Sequence, residues 1–373
     1  MQTLIKWPGG KTGEFSHIEN LIPKYDRYIE PFYGGGAVFF NLQPQKAIIN
    51  DACGELMDFY RAIKGESDRE RFRKEVYEYV DNWEKIPKYV NLFENKFCDL
   101  YLNYKQNKIS EKELKEKVNN VVLKEVKEFN GLFSNKFCLD DKNLLRQIKG
   151  NIFSKIRRII KIEADRGKIP VEDLHKNIET AFRSGFYMHF RDVMNYLGAR
   201  HHFSEAKKIA NYYFVREFCY GSMFRYNSAG YFNIPYGGIA YNSKDFRGKV
   251  DYIFSEPVRK LFVNAVIKNK DFEELFNSFK FNKDDFIFLD PPYDTDFSDY
   301  EKKIFDKNDQ QRLANCLFKT KAKYILIIKK TPFIYSLYNN KKGIKISRFE
   351  KKYLYNVKGR NKRETEHLIV SNY

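Results

Sequence analysis

The segment Asp290-Pro291-Pro292-Tyr293 directly follows an apolar run at 286–289, and its residue types suit group transfer to an aromatic amine. The lone pair of such an amine is delocalised into its ring, which makes the nitrogen a poor nucleophile. The Asp290 carboxylate and the Pro291 carbonyl can accept both amino hydrogens and favour a more tetrahedral nitrogen. The prolines stiffen the turn, and Tyr293 can stack on a base swung out of a duplex. The alternative interpretation is a proline turn that carries a surface tyrosine.

A glycine-rich segment earlier in the chain, Glu30-Pro31-Phe32-Tyr33-Gly34-Gly35-Gly36, follows the apolar pair Tyr28-Ile29. Phe32, Gly34 and Gly36 form a Phe-x-Gly-x-Gly turn, which lets the backbone approach a nucleoside cofactor without a Cβ in the way. Asp51 ends the next apolar run and is placed to accept hydrogen bonds from both hydroxyls of a ribose. This pair of features does not separate dinucleotides from S-adenosylmethionine, but the Asp290 motif favours S-adenosylmethionine.

Two further blocks carry candidate binding residues. The chain opens with Lys6-Trp7-Pro8-Gly9-Gly10-Lys11, where Trp7 offers an aromatic wall and Lys11 a charge for a cofactor carboxylate. The block 225–238 mixes hydrogen-bond donors, aromatic rings and turn residues, as a DNA-contacting loop would. As a bare string, the opening block could instead be a surface turn.

The pattern of apolar and turn residues changes twice along the chain. Residues 1–60 hold short apolar runs between Gly and Pro turns, residues 61–215 show helical periodicity such as 113–129, and residues 216–373 return to short apolar runs. We therefore predict an α/β protein with a mostly parallel sheet, formed by 1–60 and 216–373 and interrupted by a helical insertion.

The amino-acid composition limits the classes of partner that we expect. The formal net charge of +18 favours a polyanion such as nucleic acid, although an A+T-rich genome would also enrich lysine. The five cysteines form no closely spaced pair, and the histidines lie in no metal-ligand pattern, so we expect reduced thiols and no metal. Because no run of apolar residues is long enough to span a bilayer, we expect a cytoplasmic protein.

Taken in order, these blocks resemble the Dam-like family of adenine-specific DNA methyltransferases. The resemblance rests on KWPGGK, EPFYGGG, the acid in IINDACGELMDFY, FRYNSAGYFNIPYGG, DPPY and the terminal KGRNKRETEHLIVSNY. It implies a Rossmann-like class I methyltransferase sheet and S-adenosylmethionine as cofactor. It also implies that the adenine is held by residues 290–293. The residues implied to contact the cofactor are Trp7, Lys11, Phe32, Gly34, Gly36, Asp51 and Asp290. Those implied to lie near DNA are Lys6, Arg225, Asn227, Asn233 and Tyr236.

The sequence departs from the family pattern in two places. Lys329-Lys330-Thr331-Pro332 stands where the family usually carries Asn or Ser-Asn before its Thr. The insertion matches no motif, and by position we expect it to recognise the DNA target, helped by a basic stretch at 155–168. The alternative is a solvated helix face. Arg191, which we select as a DNA contact, ends the mixed run 183–191, whose side chains could equally form part of the core.

The reaction we expect is direct in-line methyl transfer to adenine in double-stranded DNA, without a covalent intermediate. Methylation of cytosine at its amino group would use similar geometry, more often with Ser in place of Asp290. RNA or a glutamine side chain would be a further target, the latter more usual with Asn there. A silent DNA-binding regulator and a dinucleotide-dependent oxidoreductase are rivals from other classes. The sequence leaves open a partner endonuclease and the oligomeric state, although a monomer suffices for hemimethylated strands.

Overall fold

The computed structural model describes residues 1–8, 13–125, 135–167, 169–200, 203–293, 305–352 and 364–373. The chain divides into two compact units. The first unit contains residues 1–67, 224–226 and 254–373, and the second contains residues 68–223 and 227–253. The helical insertion predicted at 61–215 thus corresponds to a unit that begins slightly later and continues to residue 253.

The first unit is built on a seven-stranded sheet of order β3-β2-β1-β4-β5-β7-β6. The strands are β1 (Arg27–Glu30), β2 (Ala47–Asn50), β3 (Ala265–Lys268), β4 (Asp285–Leu289), β5 (Lys323–Lys329), β6 (Lys345–Lys352) and β7 (Glu364–Ser371). Strands β1 to β5 run parallel, whereas β7 is antiparallel to both β5 and β6. The predicted Rossmann-like architecture is confirmed.

Strand order reverses direction at β1, which has β2 on one side and β4 on the other. In open α/β sheets this topological switch point creates a crevice beyond the carboxyl ends of the two strands. At their opposite ends the same two strands are joined by a bidentate ion pair, in which Arg27 donates to both oxygens of Asp285 at 2.9 and 2.8 Å. Because Asp285 is buried, this pair fixes the register of β1 against β4.

Helices cover the sheet and form nearly all of the second unit. Over the described residues they are α1 (Phe15–Ile18), α2 (Ala37–Leu42), α3 (Gly54–Lys64), α4 (Arg69–Lys105), α5 (Glu111–Glu125), α6 (Asn135–Cys138), α7 (Asp141–Arg166), α8 (Val171–Asp192), α9 (Gly198–Arg200), α10 (Glu205–Phe218), α11 (Phe246–Ile253), α12 (Glu256–Val263), α13 (Phe272–Ser278), α14 (Lys307–Lys319) and α15 (Pro332–Tyr338). No helix in the described parts of the chain is long and apolar enough to cross a membrane.

The second unit packs around an aromatic core. The indole of Trp83 on α4 contacts the rings of Phe214 and Phe218 on α10, with ring centroids 5.5 and 4.2 Å apart. The guanidinium of Arg183 lies 4.4 Å from the Trp83 ring and donates to the Trp83 carbonyl. His189, on α8, is fully buried and lies against the Cys138 carbonyl at 2.7 Å. Arg183 and His189, which belong to the mixed run at 183–191, are therefore core residues.

Candidate active site

Three carboxyl groups mark the switch point. Glu30 ends β1 and is only 2% exposed, and Asp51 and Asp290 follow β2 and β4 directly. Burial raises the pKa of Glu30 well above its ordinary value, a hydrogen bond from the Tyr28 hydroxyl opposes this, and the charges of Asp290 and Asp51 raise it further. Asp51 and Asp290 therefore both lie near enough to Glu30 for their charges to disfavour its ionisation.

The glycine-rich turn after β1 has geometry that other residues would not fit. Gly34 has φ of +50° and Gly36 has φ of +66°, in the left-handed region that favours glycine. A Cβ on Gly34 would lie 2.7 Å from the indole of Trp7, and one on Gly36 would lie 2.5 Å from the ring of Tyr33. Trp7 therefore packs directly on the glycine backbone, and the centroid of its ring lies 4.9 Å from that of Phe224.

Asp51 connects the glycine turn to helix α3. Its carboxylate accepts the backbone N–H of Gly34 at 2.8 Å and that of Cys53 at 2.9 Å, and the side chain is 7% exposed. Each carboxylate oxygen can accept more than one hydrogen bond. The ribose-binding role predicted for Asp51 is therefore compatible with its structural contacts, and it stays a prediction.

Two asparagines that the sequence reasoning did not single out hold the ends of three neighbouring strands together. Asn50 donates to the carbonyls of Pro31 and Lys270, both at 3.0 Å, and accepts the Lys270 N–H. Asn269 donates to the Asp51 carbonyl at 2.8 Å. The loops after β1, β2 and β3 are thus joined by side-chain amides. In the sequence, Asn50 could have been selected from its position directly before Asp51.

A trio of phenylalanines closes one side of this strand-end region. Phe32 follows β1, Phe272 begins α13 after β3, and Phe305 precedes α14 after β4. Their ring centroids lie 5.5, 5.6 and 5.7 Å apart. Sequence reasoning selected Phe32 and missed the other two, because β3 is a short edge strand with an exposed Val266 and does not stand out as an apolar run.

The Asp290–Tyr293 turn emerges where the sheet ends. Pro291 is buried, whereas Asp290 and Tyr293 are partly exposed. The ring of Tyr293 meets the buried ring of His367 on β7 edge-on, with centroids 5.5 Å apart. Gln310 on α14 donates to the Pro292 carbonyl at 3.0 Å. The turn is therefore supported from two sides.

At the departure from the family pattern, the replacing residues have structural partners. Lys330 forms an ion pair with Glu366 on β7 at 2.5 Å. The Thr331 hydroxyl accepts the N–H of Ile334, which caps helix α15, and Pro332 occupies the first turn of that helix. The positions after β5 thus support the strand-to-helix connection.

Among the predicted DNA contacts, Lys6 and Arg225 are exposed in the first unit. In the second unit the stretch 231–236 alternates, so that Asn233 and the 43%-exposed Tyr231 point outward while Tyr236 is buried. The Tyr236 hydroxyl donates to Asn242 at 2.9 Å, which places this predicted contact in the core of its unit.

The remaining two predicted contacts of this unit also have internal partners. The Asn227 side chain is exposed and accepts the N–H groups of Ala229 and Tyr231, which shapes a turn. Arg191 donates to the Ile234 carbonyl at 3.3 Å. Lys11, Lys168 and the basic block 355–363 lie outside the described residues.

Together, the parallel sheet with β7 reversed and the acid-lined switch point beside a proline-stiffened turn define a Rossmann-like methyltransferase. The chain belongs to the D12 class N6 adenine-specific DNA methyltransferase family, whose model matches residues 7–137 and 156–357. The resemblance inferred from the motifs is thereby confirmed, and the enzyme class is that of DNA adenine methyltransferases. This membership decides against a dinucleotide-dependent oxidoreductase.

Relatives of full length point the same way. The chain is 26% identical over 384 residues to the Type II methyltransferase M.CviBI of Paramecium bursaria Chlorella virus NC1A, covering all of both chains. It is also 26% identical to the Type II methyltransferase M.MjaIII of Methanocaldococcus jannaschii, covering all of this chain and 99% of that one. The Retron Ec67 DNA adenine methylase of Escherichia coli is 31% identical over 166 residues, 43% of this chain and 54% of that protein.

Proposed function

We propose that this chain transfers a methyl group from S-adenosylmethionine to the exocyclic amino group of adenine in double-stranded DNA. The observation that carries the proposal is the position of Asp51 and Asp290, which follow the parallel strands β2 and β4 on either side of β1, where Asp290 opens a proline-stiffened turn that can receive an amine. When bound, S-adenosylmethionine supplies an electrophilic methyl group on a sulfonium. The carboxylates of Asp51 and Asp290 suit that positive charge and the charge of its amino group.

The residues of the first unit have separate roles in this proposal. The glycine turn and the indole of Trp7 hold the nucleoside end of the donor, Asp51 accepts its ribose hydroxyls, and Lys11 pairs with its carboxylate. The Asp290 carboxylate and Pro291 carbonyl accept the adenine amino hydrogens, and Tyr293 stacks on the base. Asp290 acts as a hydrogen-bond acceptor, because the amine need not lose a proton before it attacks. Alignment and exclusion of water then supply the rate.

DNA contact falls to residues in and near the block 225–238, of which Lys6, Arg225 and Asn227 are exposed and Asn233 is partly exposed. Lys6 and Arg225 contribute charge, and Asn227 and Asn233 contribute hydrogen bonds to the backbone or base edges. Arg191 keeps its proposed role near this segment through its contact with the Ile234 carbonyl. Tyr236 supports the segment from the core side.

We assign recognition of the DNA target to the helical unit, which helix α7 makes basic. Arg158 and Lys161 are exposed on this helix, and burial together with the charge of Arg158 lowers the pKa of Lys155. Crowded cations of this kind are stabilised by a polyanion. Since the full-length relatives are named Type II methyltransferases, we propose a protective role beside a cognate endonuclease in the cytoplasm. A monomer suffices for it.

The donor assignment is tested by titrating S-adenosylmethionine into wild type, Asp51→Asn and the control Asp58→Asn. Asp58 lies on α3 and pairs with Arg61, away from the glycine turn. We expect Asp51→Asn to raise the Kd about 10-fold to 100-fold, because charged hydrogen bonds are lost, and Asp58→Asn to leave it unchanged. Equal constants for all three proteins would remove Asp51 from the donor site.

The target is tested by incubating the protein with methyl-labelled S-adenosylmethionine and mixed genomic DNA, followed by analysis of the nucleosides. Label in N6-methyladenine supports the proposal. Label in N4-methylcytosine would move the target to another base, with the same site. Donor binding without label in DNA would point to RNA or protein as substrate, or to a silent regulator.

A further inference from the structure

The Asp290–Tyr293 turn offers two proline carbonyls that an amine could approach, and one of them is already engaged. The Pro292 carbonyl accepts a hydrogen bond from Nε2 of Gln310 at 3.0 Å. Neither proline has an N–H group with which to hold the turn by its own backbone. The side chain of Gln310 is therefore a specific hydrogen-bond support of this turn.

Gln310 is held rigidly. It is 0% exposed, although it lies in the exposed first turn of α14, where Asp306 and Asp309 form a capping box. Two residues further on, Arg312 binds Asp271 at 2.7 Å and Glu273 at 2.8 Å, which ties α14 to the segment after β3. The helix that carries Gln310 is thus anchored by contacts other than the one to the turn that its side chain supports.

The oxygen atom of the Gln310 amide indicates that this position requires a glutamine. Only the –NH2 group can face a carbonyl, so the contact with Pro292 fixes the orientation of the amide. The Oε1 atom of Gln310 is then buried, and it has no hydrogen-bond partner among the described residues. A buried acceptor without a partner lowers stability, and an apolar side chain of the same shape would avoid that cost.

We propose that Gln310 is a positioning residue for methyl transfer. By holding the Pro292 carbonyl it fixes the peptide plane between Pro292 and Tyr293, and with it the direction of the preceding Pro291 carbonyl. The adenine amino group then meets Asp290 and Pro291 in the geometry that methyl transfer requires. This inference rests on the proposed function of the turn.

The test compares single-turnover methylation by wild type, Gln310→Met and the control Gln311→Met, with donor and DNA saturating. Gln311 is exposed on the same helix turn and bonds to Asn315 instead. We expect Gln310→Met to lose about 10-fold or more in rate, with the Kd of S-adenosylmethionine and the Tm close to wild type. A folded Gln310→Met protein with the wild-type rate overturns the proposal.

Gln310→Glu gives a second readout. A protonated glutamate can donate to the Pro292 carbonyl, whereas an ionised one cannot, so its rate relative to wild type should fall as pH rises. A ratio that is low at every pH, or that rises with pH, overturns the proposal, also where Gln310→Met fails to fold. Wild type is assayed first in the same experiment, and absence of N6-methyladenine there would mark failure of the proposed function itself.

Discussion

Glu30 is buried beside Asp51 and Asp290, where a residue that merely ended a strand would be apolar. Its pKa is raised well above the ordinary value of 4.5, chiefly by burial and then by the two neighbouring charges. A carboxyl group that is harder to ionise in the folded protein than in the unfolded chain destabilises the fold at neutral pH. The protein carries that cost at the site where we place a cationic donor.

The sign of this effect gives a prediction for Glu30→Gln. Because the folded-state pKa is raised, the contribution of Glu30 to stability is complete below about pH 4.5 and is lost as pH rises. Glutamine keeps an acceptor for the Tyr28 hydroxyl but cannot ionise. Thermal unfolding from about pH 5 to about pH 8 should show the Tm of the variant gaining on that of wild type. Parallel Tm curves would contradict the raised pKa.

Single residues were predictable where a motif imposes their chemistry. Gly34 and Gly36 could be predicted as a turn after a strand, and their positive φ values bear out the turn, whereas the ribose-binding role of Asp51 stays a prediction. The burial of Tyr236 could not be predicted, since it follows from the alternation of the stretch 231–236, which is visible only once the neighbours are known. Gln310 carried no sequence signal at all, because a glutamine in a helix is normally solvated.

At the scale of elements, a π-helical turn at Val193–Leu197 continues from α8 and carries Asn195. The Asn195 side chain accepts the Phe232 N–H at 2.8 Å and donates to the Phe232 carbonyl at 2.9 Å. The amide thus pairs with this residue as a neighbouring strand would. The Tyr187 hydroxyl adds a bond to the Ile234 carbonyl at 2.9 Å. Such turns occur frequently at functional sites.

The two hydrogen bonds between Asn195 and the backbone of Phe232 lead to a prediction for Asn195→Leu. Loss of both bonds should loosen the segment that carries Asn233 and raise the KM for DNA about 10-fold, while the Kd of the donor stays unchanged. The matched control is Asn177→Leu on α8, whose amide donates to the Asp173 carbonyl of its own helix. Steady-state kinetics on a DNA substrate checks it. Equal KM values for the two variants would show that the hydrogen bonds between Asn195 and Phe232 do not contribute to DNA binding.

Strands with continuous apolar sequence were predictable, and edge strands were not. The runs at 286–289 and 324–328 form β4 and β5 because helices on both faces bury every residue. Strand β6 escaped prediction since Lys345–Lys352 lies at the sheet edge and is mostly charged. The reversed position of β7 also needed the structure, because sequence periodicity does not give strand direction.

For the whole molecule, the net charge is +18. Part of this positive charge is concentrated on one helix of the second unit. Helix α7 is the basic element of the second unit, whereas the lysines of α5 alternate with glutamates. Some α7 cations are already paired, as Arg157 is with Glu111 at 3.3 Å. Arg158 and Lys161 are exposed on the same helix and are the better candidates for phosphate contacts.

We therefore predict that the double variant Arg158→Gln and Lys161→Gln weakens DNA binding in a salt-dependent way. The slope of log K against log salt is negative, and each lost phosphate contact reduces its magnitude by about 0.9, so loss of the pair should make the slope less negative by about 2. The control is Lys112→Gln and Lys115→Gln on α5, which should leave the slope unchanged. Binding titrations at several salt concentrations measure it. A slope equal to wild type would leave α7 as a solvated surface.

The central claim, that methyl transfer occurs at the turn after β4, is tested most directly by single-turnover methylation with Asp290→Ala. The assay measures N6-methyladenine formed from labelled donor at saturating DNA, beside Asp284→Asn, an exposed acid just before the same strand. We predict that Asp290→Ala keeps its fold and DNA binding but loses at least about 100-fold in rate, whereas Asp284→Asn retains the wild-type rate. Near-normal methylation by Asp290→Ala would contradict the assignment of this turn as the site of the reaction.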